Sequence, residues 1–100
     1  METSFEIILH AGNARSSAME ALTLAKEGKF DEAREKLAEA KKELHEAHHA
    51  QTKLIRAEAR EESVDINVIL IHAQDHLMTT IVVKDLITEF VDLYEKLAAA

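Results

Sequence analysis

The sequence predicts an all-α chain folded as an antiparallel three-helix bundle. Three observations predict it. First, among 100 residues there is no proline and only two glycines, and alanine, leucine, glutamate and lysine dominate; these four favour helix almost everywhere. Second, apolar residues recur at helical spacing through three long stretches. Third, only short polar links separate the stretches, and short links set consecutive helices antiparallel. The helices are expected over about residues 4–27, 32–61 and 66–97, in a single domain, 1–100. No internal repeat or low-complexity linker interrupts them.

The first helix has a start signal in Thr3 and Glu6, which carry capping-box spacing. Its inward face is read as Phe5, Ile8, Ala11, Ala14, Ala18, Ala21, Leu22 and Ala25. Gly28 then stands where a helix-terminating glycine belongs. Gly12 is different, because glycine inside a helix costs up to about 1 kcal/mol relative to alanine. With Ala11, Ala14, Ser16, Ser17 and Ala18 it forms a surface of small side chains. Close packing of a neighbouring helix explains that surface most simply; room beside a functional site is the second reading.

Lys29-Phe30-Asp31 is a short link, with Asp31 as the expected N-cap of the second helix. That helix repeats in heptads: Ala33, Leu37, Ala40, Leu44, Ala47, Gln51, Leu54. Charges fill its other faces, with Glu32/Lys36 favourable and Glu39/Glu43 unfavourable at i,i+4. Gln51 interrupts the seam with a polar group that needs a partner. The solvated run Arg56 to Glu62 closes the helix.

Residues 63–67 read as the second connection, with Ser63 or Asp65 as cap. The third helix carries two apolar faces. Ile69, Ala73, Leu77, Ile81 and Val91 line one, and Val68, Ile71, Met78, Val82, Leu86, Phe90, Leu93 and Leu97 line the other. A helix apolar over so much of its circumference is buried between partners. Helices one and two cover one face, and identical helices from other copies are the economical cover for the second. Composition agrees: 47% of the residues are hydrophobic, a surplus for a chain that buries only about 60–65% of its surface by size scaling.

Charge and composition also exclude classes of function. The net charge is −7, which argues against nucleic acid and suits a basic protein partner. There is no cysteine, hence no disulfide and no Cys-ligated zinc. The longest apolar run, Val68 to Ile71, falls far short of the about 20 residues of a membrane span. The start lacks the basic region of a signal peptide. The expected location is the cytoplasm, with no direct membrane insertion.

Chemistry concentrates in Ile71-His72-Ala73-Gln74-Asp75-His76-Leu77-Met78-Thr79-Thr80. His72 and His76 stand one turn apart on one helix face. A histidine supplies a ring lone pair and titrates near neutral pH, so the pair reads either as a phosphoryl-accepting His72 or as a zinc chelate. No glutamate follows in the H-E-x-x-H pattern. Asp75 falls between Ile71 and Met78 on the second apolar face. On a symmetry axis its copies would meet, and crowded carboxylates must protonate or share a cation; a hard ion such as Mg²⁺ prefers such oxygen ligands. A solvated or locally paired Asp75 is the other reading. In the second helix, His45, His48 and His49 accompany Glu43 and Glu46. Only one Glu-x-x-His pair exists there, short of a di-metal carboxylate site, and His48 is expected to turn inward near Ala47 and Gln51.

These residues resemble a known family. Val68 to Thr80, with His72-Ala73-Gln74-Asp75-His76-Leu77-Met78-Thr79, resembles the signature of the lactose/cellobiose-type enzyme IIA of the bacterial sugar phosphotransferase system. Ala11-Gly12-Asn13-Ala14-Arg15-Ser16 is similar to its first-helix motif. Glu46-Ala47-His48 with Gln51-Thr52-Lys53-Leu54-Ile55 is similar to its second, and Asp85-Leu86-Ile87-Thr88-Glu89 also fits. The resemblance implies a homotrimer of three-helix subunits, nine helices in all. It implies that His72, through Nε2, accepts a phosphoryl group from the histidine-containing phosphocarrier protein and passes it to a cysteine of a cognate IIB. Asp75 maps onto the metal-binding or buried axial aspartate, with Mg²⁺ or a similar divalent cation at the trimer axis. Gln74 and His76 are carried as supporting residues. The implied cargo is a β-linked disaccharide, and Arg56 to Val64 is not diagnostic of which. Two other readings of the residues are a helical-hairpin interaction module, suggested by Lys26 to Ala33, and a histidine-rich metal-binding bundle. The second helix is too long for a hairpin repeat, and no second repeat follows.

Overall fold

A computed structural model describes residues 2–100. Three helices follow one another, α1 (Glu2–Lys26), α2 (Phe30–Ala59) and α3 (Val68–Ala99), and there is no strand among the described residues. They pack side by side into a rod of 56 × 19 × 17 Å. Side-chain links fix the directions. His10 reaches Glu43 and Glu20 reaches Lys36, so α1 and α2 run antiparallel. Gln51 reaches Gln74, and Arg34 reaches Asp92 and Glu95, so α2 and α3 are antiparallel as well. The hydrogen bonds that Arg34 donates to the Glu95 and Asp92 carboxylates hold its guanidinium above its ordinary pKa.

The core is thin and rich in alanine. Ala11, Ala14, Ala18, Ala21 and Ala25 of α1 meet Ala33, Ala40, Ala47 and Ala50 of α2. Small side chains let the two backbones approach closely. Leu37 and Leu44 complete the α2 seam as the heptads predict, and Gln51 is buried with them. From α3 come Ala73, Leu77, Thr80, Ile87 and Val91. The second apolar face of α3 is bare, and every one of its eight expected members, Val68 to Leu97, is exposed.

Four local expectations are corrected. The inward face of α1 is Ser4, Ile7, Ala11, Ala14, Ala18, Ala21 and Ala25. Phe5 is 54% exposed, and Ile7 takes the core position. Helix α1 begins at Glu2, so Thr3 lies inside the helix and does not cap it. Helix α2 begins at Phe30 with Lys29 as N-cap and no side-chain cap bond; Asp31 falls in the first turn, where its charge suits the helix dipole. Asn67 caps α3, its side chain accepting from Leu70 N at 2.9 Å, while Asp65 only accepts from the Asn67 amide. Gly28 does terminate α1, with φ +79°. Glu61 takes the corresponding left-handed position after α2, with φ 61°.

Candidate functional site

The residues singled out on α3 occupy three different sides of one helix. Successive helix residues turn by about 100°, so the short motif distributes its groups around the rod. Ala73 and Leu77 point into the core and fix the helix in place. The other four residues are held outward by that anchoring.

His72 and His76 share the flank toward α1. Their rings are parallel within 4°, with centroids 6.0 Å apart. His72 is exposed and His76 half-buried. His76 leans on α1 at Gly12: a β-carbon built on that glycine would lie 3.7 Å from His76 Nε2. Ala11, Ala14 and Ala18 face the core while Gly12 faces the histidine, so the small-residue surface serves packing and also leaves room beside His76. No hydrogen bond engages the His72 ring nitrogens among the described residues, which leaves its lone pair free at an open surface.

Gln74 lies on the opposite flank, toward α2. Gln51 Nε2 donates to Gln74 Oε1 across the helix interface. This bond satisfies the polar interruption in the heptad seam. Gln51 is 8% exposed, and an unpaired amide at that depth would be costly.

Asp75 projects from the outer side, exposed, between Ile71 and Met78. Its side chain has no hydrogen bond or ion pair among the described residues; its backbone carbonyl accepts from Thr79 Oγ1 at 2.9 Å. A free carboxylate centred in an apolar stripe is an oxygen donor with no partner among the described residues of its own chain.

No group of three or more His, Cys, Asp or Glu side chains among the described residues could hold a metal. His72 and His76 alone are two donors, short of the four-coordinate set zinc takes. His48 departs from expectation. It is exposed and lines a groove of about 620 Å³ between α2 and α3, with Lys41, Lys42, His45 and Lys84 around a floor of Ala38, Leu44 and Ile81. Among the links that local spacing did not signal, Gly12 with His76 and Gln51 with Gln74 build the site. The His10 Nδ1–Glu43 Oε2 bond of 2.6 Å ties α1 to α2 one turn away.

Comparison with known proteins places this geometry in context. Residues 2–95 match the family described as the lactose/cellobiose-specific IIA subunit of the PTS system. The chain is 54% identical over 93 residues to the lichenan-specific phosphotransferase enzyme IIA component of Bacillus subtilis (strain 168), covering 93% of this chain and 84% of that one. It is 44% identical over 98 residues to the N,N'-diacetylchitobiose-specific EIIA component of Escherichia coli (strain K12), covering 98% and 84%. The crystal structure of the cellobiose-specific enzyme IIA of Bacillus anthracis superposes with a TM-score of 0.95 at 58% identity, covering 98% of this chain and 90% of that one. The IIA(chitobiose) chain of a complex with HPr from Escherichia coli gives 0.84 at 42% identity, covering 97% and 94%. The chain belongs to the lactose/cellobiose-specific IIA family of the sugar phosphotransferase system and is a phosphotransferase component of it.

Proposed function

We propose that this protein relays a phosphoryl group through His72, accepting it from the histidine-containing phosphocarrier protein and passing it to a cysteine of a cognate IIB. One observation carries the reading: an exposed imidazole with free ring nitrogens, on a helix anchored by Ala73 and Leu77, stands parallel to a second imidazole at 6.0 Å. Phosphoryl transfer asks little more than alignment and charge stabilisation. The Nε2 lone pair of His72 attacks the donor's phosphorus in line. The bond to the donor histidine breaks, and its electron pair returns to that ring. The second step repeats this with the IIB thiolate as nucleophile and His72 as leaving group. His76, on the same flank, supports the phosphorylated ring as a hydrogen-bond donor. The cargo is a β-linked disaccharide, in keeping with the lichenan, chitobiose and lactose names of the relatives. No helix is long and apolar enough to cross a membrane among the described residues, and the setting we propose is the cytoplasm.

The working form is a homotrimer. Val68, Ile71, Met78, Val82, Leu86, Phe90, Leu93 and Leu97 form one continuous exposed stripe, and three copies packed stripe to stripe would remove it from water. Asp75 then meets two copies of itself. Three carboxylates among Ile71 and Met78 side chains fit a divalent cation such as Mg²⁺, which would neutralise them. In such an assembly the His72 flank of one copy faces the Gln74 flank of the next, because the two residues lie about 200° apart around the helix. Gln74 therefore supports the neighbour's His72 rather than its own.

The test is incubation with enzyme I, the phosphocarrier protein and phosphoenolpyruvate, followed by mass spectrometry. The expected result is a single acid-labile phosphoryl group per chain, on His72, and none on His72→Ala. Uptake by His72→Ala would move the site elsewhere. Sedimentation should give three times the chain mass of 11.2 kDa.

A further inference from the structure

We infer that Gln51 is a positioning residue of the phosphoryl site: its amide sets which end of the Gln74 side chain faces outward. The inference rests on the trimeric relay proposed above. It starts from a side chain that packing alone would not select. Gln51 occupies a seam position between Ala47 and Leu54 where the heptad calls for an apolar residue, and it is 8% exposed. Its bond goes to Gln74, two residues past His72.

The sense of that bond decides the chemistry. A glutamine amide has one end that accepts and one end that donates. Gln51 Nε2 donates to Gln74 Oε1, so the acceptor end of Gln74 is turned inward and occupied. The Nε2 end of Gln74, with its two N–H groups, is left for the open flank of α3. A phosphorylated imidazole carries three anionic oxygens that accept hydrogen bonds. Had the bond run the other way, Gln74 would present a carbonyl oxygen to that anion and repel it. Gln51 thus makes Gln74 an anion donor without touching the anion itself.

The substitution that isolates this role is Gln51→Glu. The side chain keeps its length and shape, but its carboxylate only accepts, so it draws the Gln74 N–H groups inward and turns Oε1 outward. The trimer is phosphorylated as above, and the half-life of the phosphohistidine and the transfer rate are measured. Gln51→Glu is expected to lower both by roughly 10- to 100-fold, the loss of a hydrogen bond to a charged group, and Gln74→Leu by a similar factor. The double variant is expected to be no worse than Gln74→Leu, since Gln51 acts only through Gln74. In wild type the side-chain amide resonances of Gln74 should shift on phosphorylation, and in Gln51→Glu they should not. Sedimentation and thermal unfolding of each variant separate misfolding from misorientation. A Gln51→Glu trimer that matches wild type in half-life, rate and amide shift overturns the inference and leaves the relay standing. A wild-type protein that takes no phosphoryl group on His72 overturns the relay itself. A loss in the Gln74→Leu background as large as in wild type assigns Gln51 a merely structural role.

Discussion

The imidazole of His76 stands between two neighbours. On one side it lies parallel to His72, centroids 6.0 Å apart, and on the other its Nε2 faces the bare backbone of Gly12. The contact with α1 limits how His76 can swing, and the parallel rings keep it on the same flank as His72. No hydrogen bond joins the two rings among the described residues, and His72 itself is exposed.

The first prediction concerns His76. His76→Ala should still accept a phosphoryl group on His72, because the nucleophile is intact. The phosphorylated form should hydrolyse faster, by roughly 10- to 100-fold, through loss of a donor to a charged group. His76→Gln, which retains an N–H, should recover part of the loss. Time-resolved ³¹P NMR of the phosphorylated protein reads this directly. An unchanged lifetime in His76→Ala would remove His76 from the site.

Gly12 gives the second. A methyl group there would meet His76 Nε2 at 3.7 Å, an ordinary contact. Gly12→Ala should therefore fold normally and gain up to about 1 kcal/mol of helix stability. A larger side chain would extend from that contact toward the imidazole. Gly12→Leu should push His76 off its place and lower the transfer rate as His76→Ala does. Rates that stay at the wild-type level in Gly12→Leu would mean that the Gly12–His76 contact does not matter for transfer.

How much of this was legible in the sequence follows from what periodicity reports. Bulky side chains on α3 revealed both faces, because each large apolar residue is a strong marker of burial or of an interface. On α1 the core is alanine, which marks a face weakly. The alanines read on that face are buried and Ile8 packs at its edge, but Phe5 is exposed and Ile7 is the residue at 0% exposure. The α3 cap was ambiguous because Ser63, Asp65 and Asn67 are all competent caps. Only Asn67 has the extended backbone that aims its side chain at Leu70 N. The motif's histidines and aspartate fell on different sides of α3 as spacing alone requires. The links Gly12–His76 and Gln51–Gln74 depend on how far one helix slides along another, and no local pattern encodes that register.

Thr80 carries the third prediction. It is 1% exposed and its Oγ1 has no partner among the described residues. The carbonyl one turn back, on His76, already accepts from Thr79 at 3.2 Å. A buried hydroxyl without a hydrogen bond is a net cost, and valine has nearly the same volume. Thr80→Val should raise stability by about 1 kcal/mol. Urea unfolding at fixed protein concentration measures it, since an oligomer's midpoint shifts with concentration. A lower midpoint would reveal a partner for the hydroxyl, such as a buried water.

Asp75 gives the last prediction, and it separates assembly from chemistry. The carboxylate sits between Ile71, 60% exposed, and Met78, 44% exposed, in the exposed stripe that the proposed trimer would bury. On a shared axis, three such charges oppose assembly unless a cation joins them. Mg²⁺ should then raise the melting temperature of the wild-type protein, and a chelator should lower it. Asp75→Leu replaces the charge with an apolar side chain, which for buried ionic groups is often stabilising by about 1–4 kcal/mol. The variant should melt above the metal-free wild type, ignore both Mg²⁺ and chelator, and still take a phosphoryl group on His72, which lies on another side of the helix. If Asp75→Leu instead sedimented as single chains of 11.2 kDa, the axial position would be wrong. The free carboxylate would then have to be assigned to a partner surface.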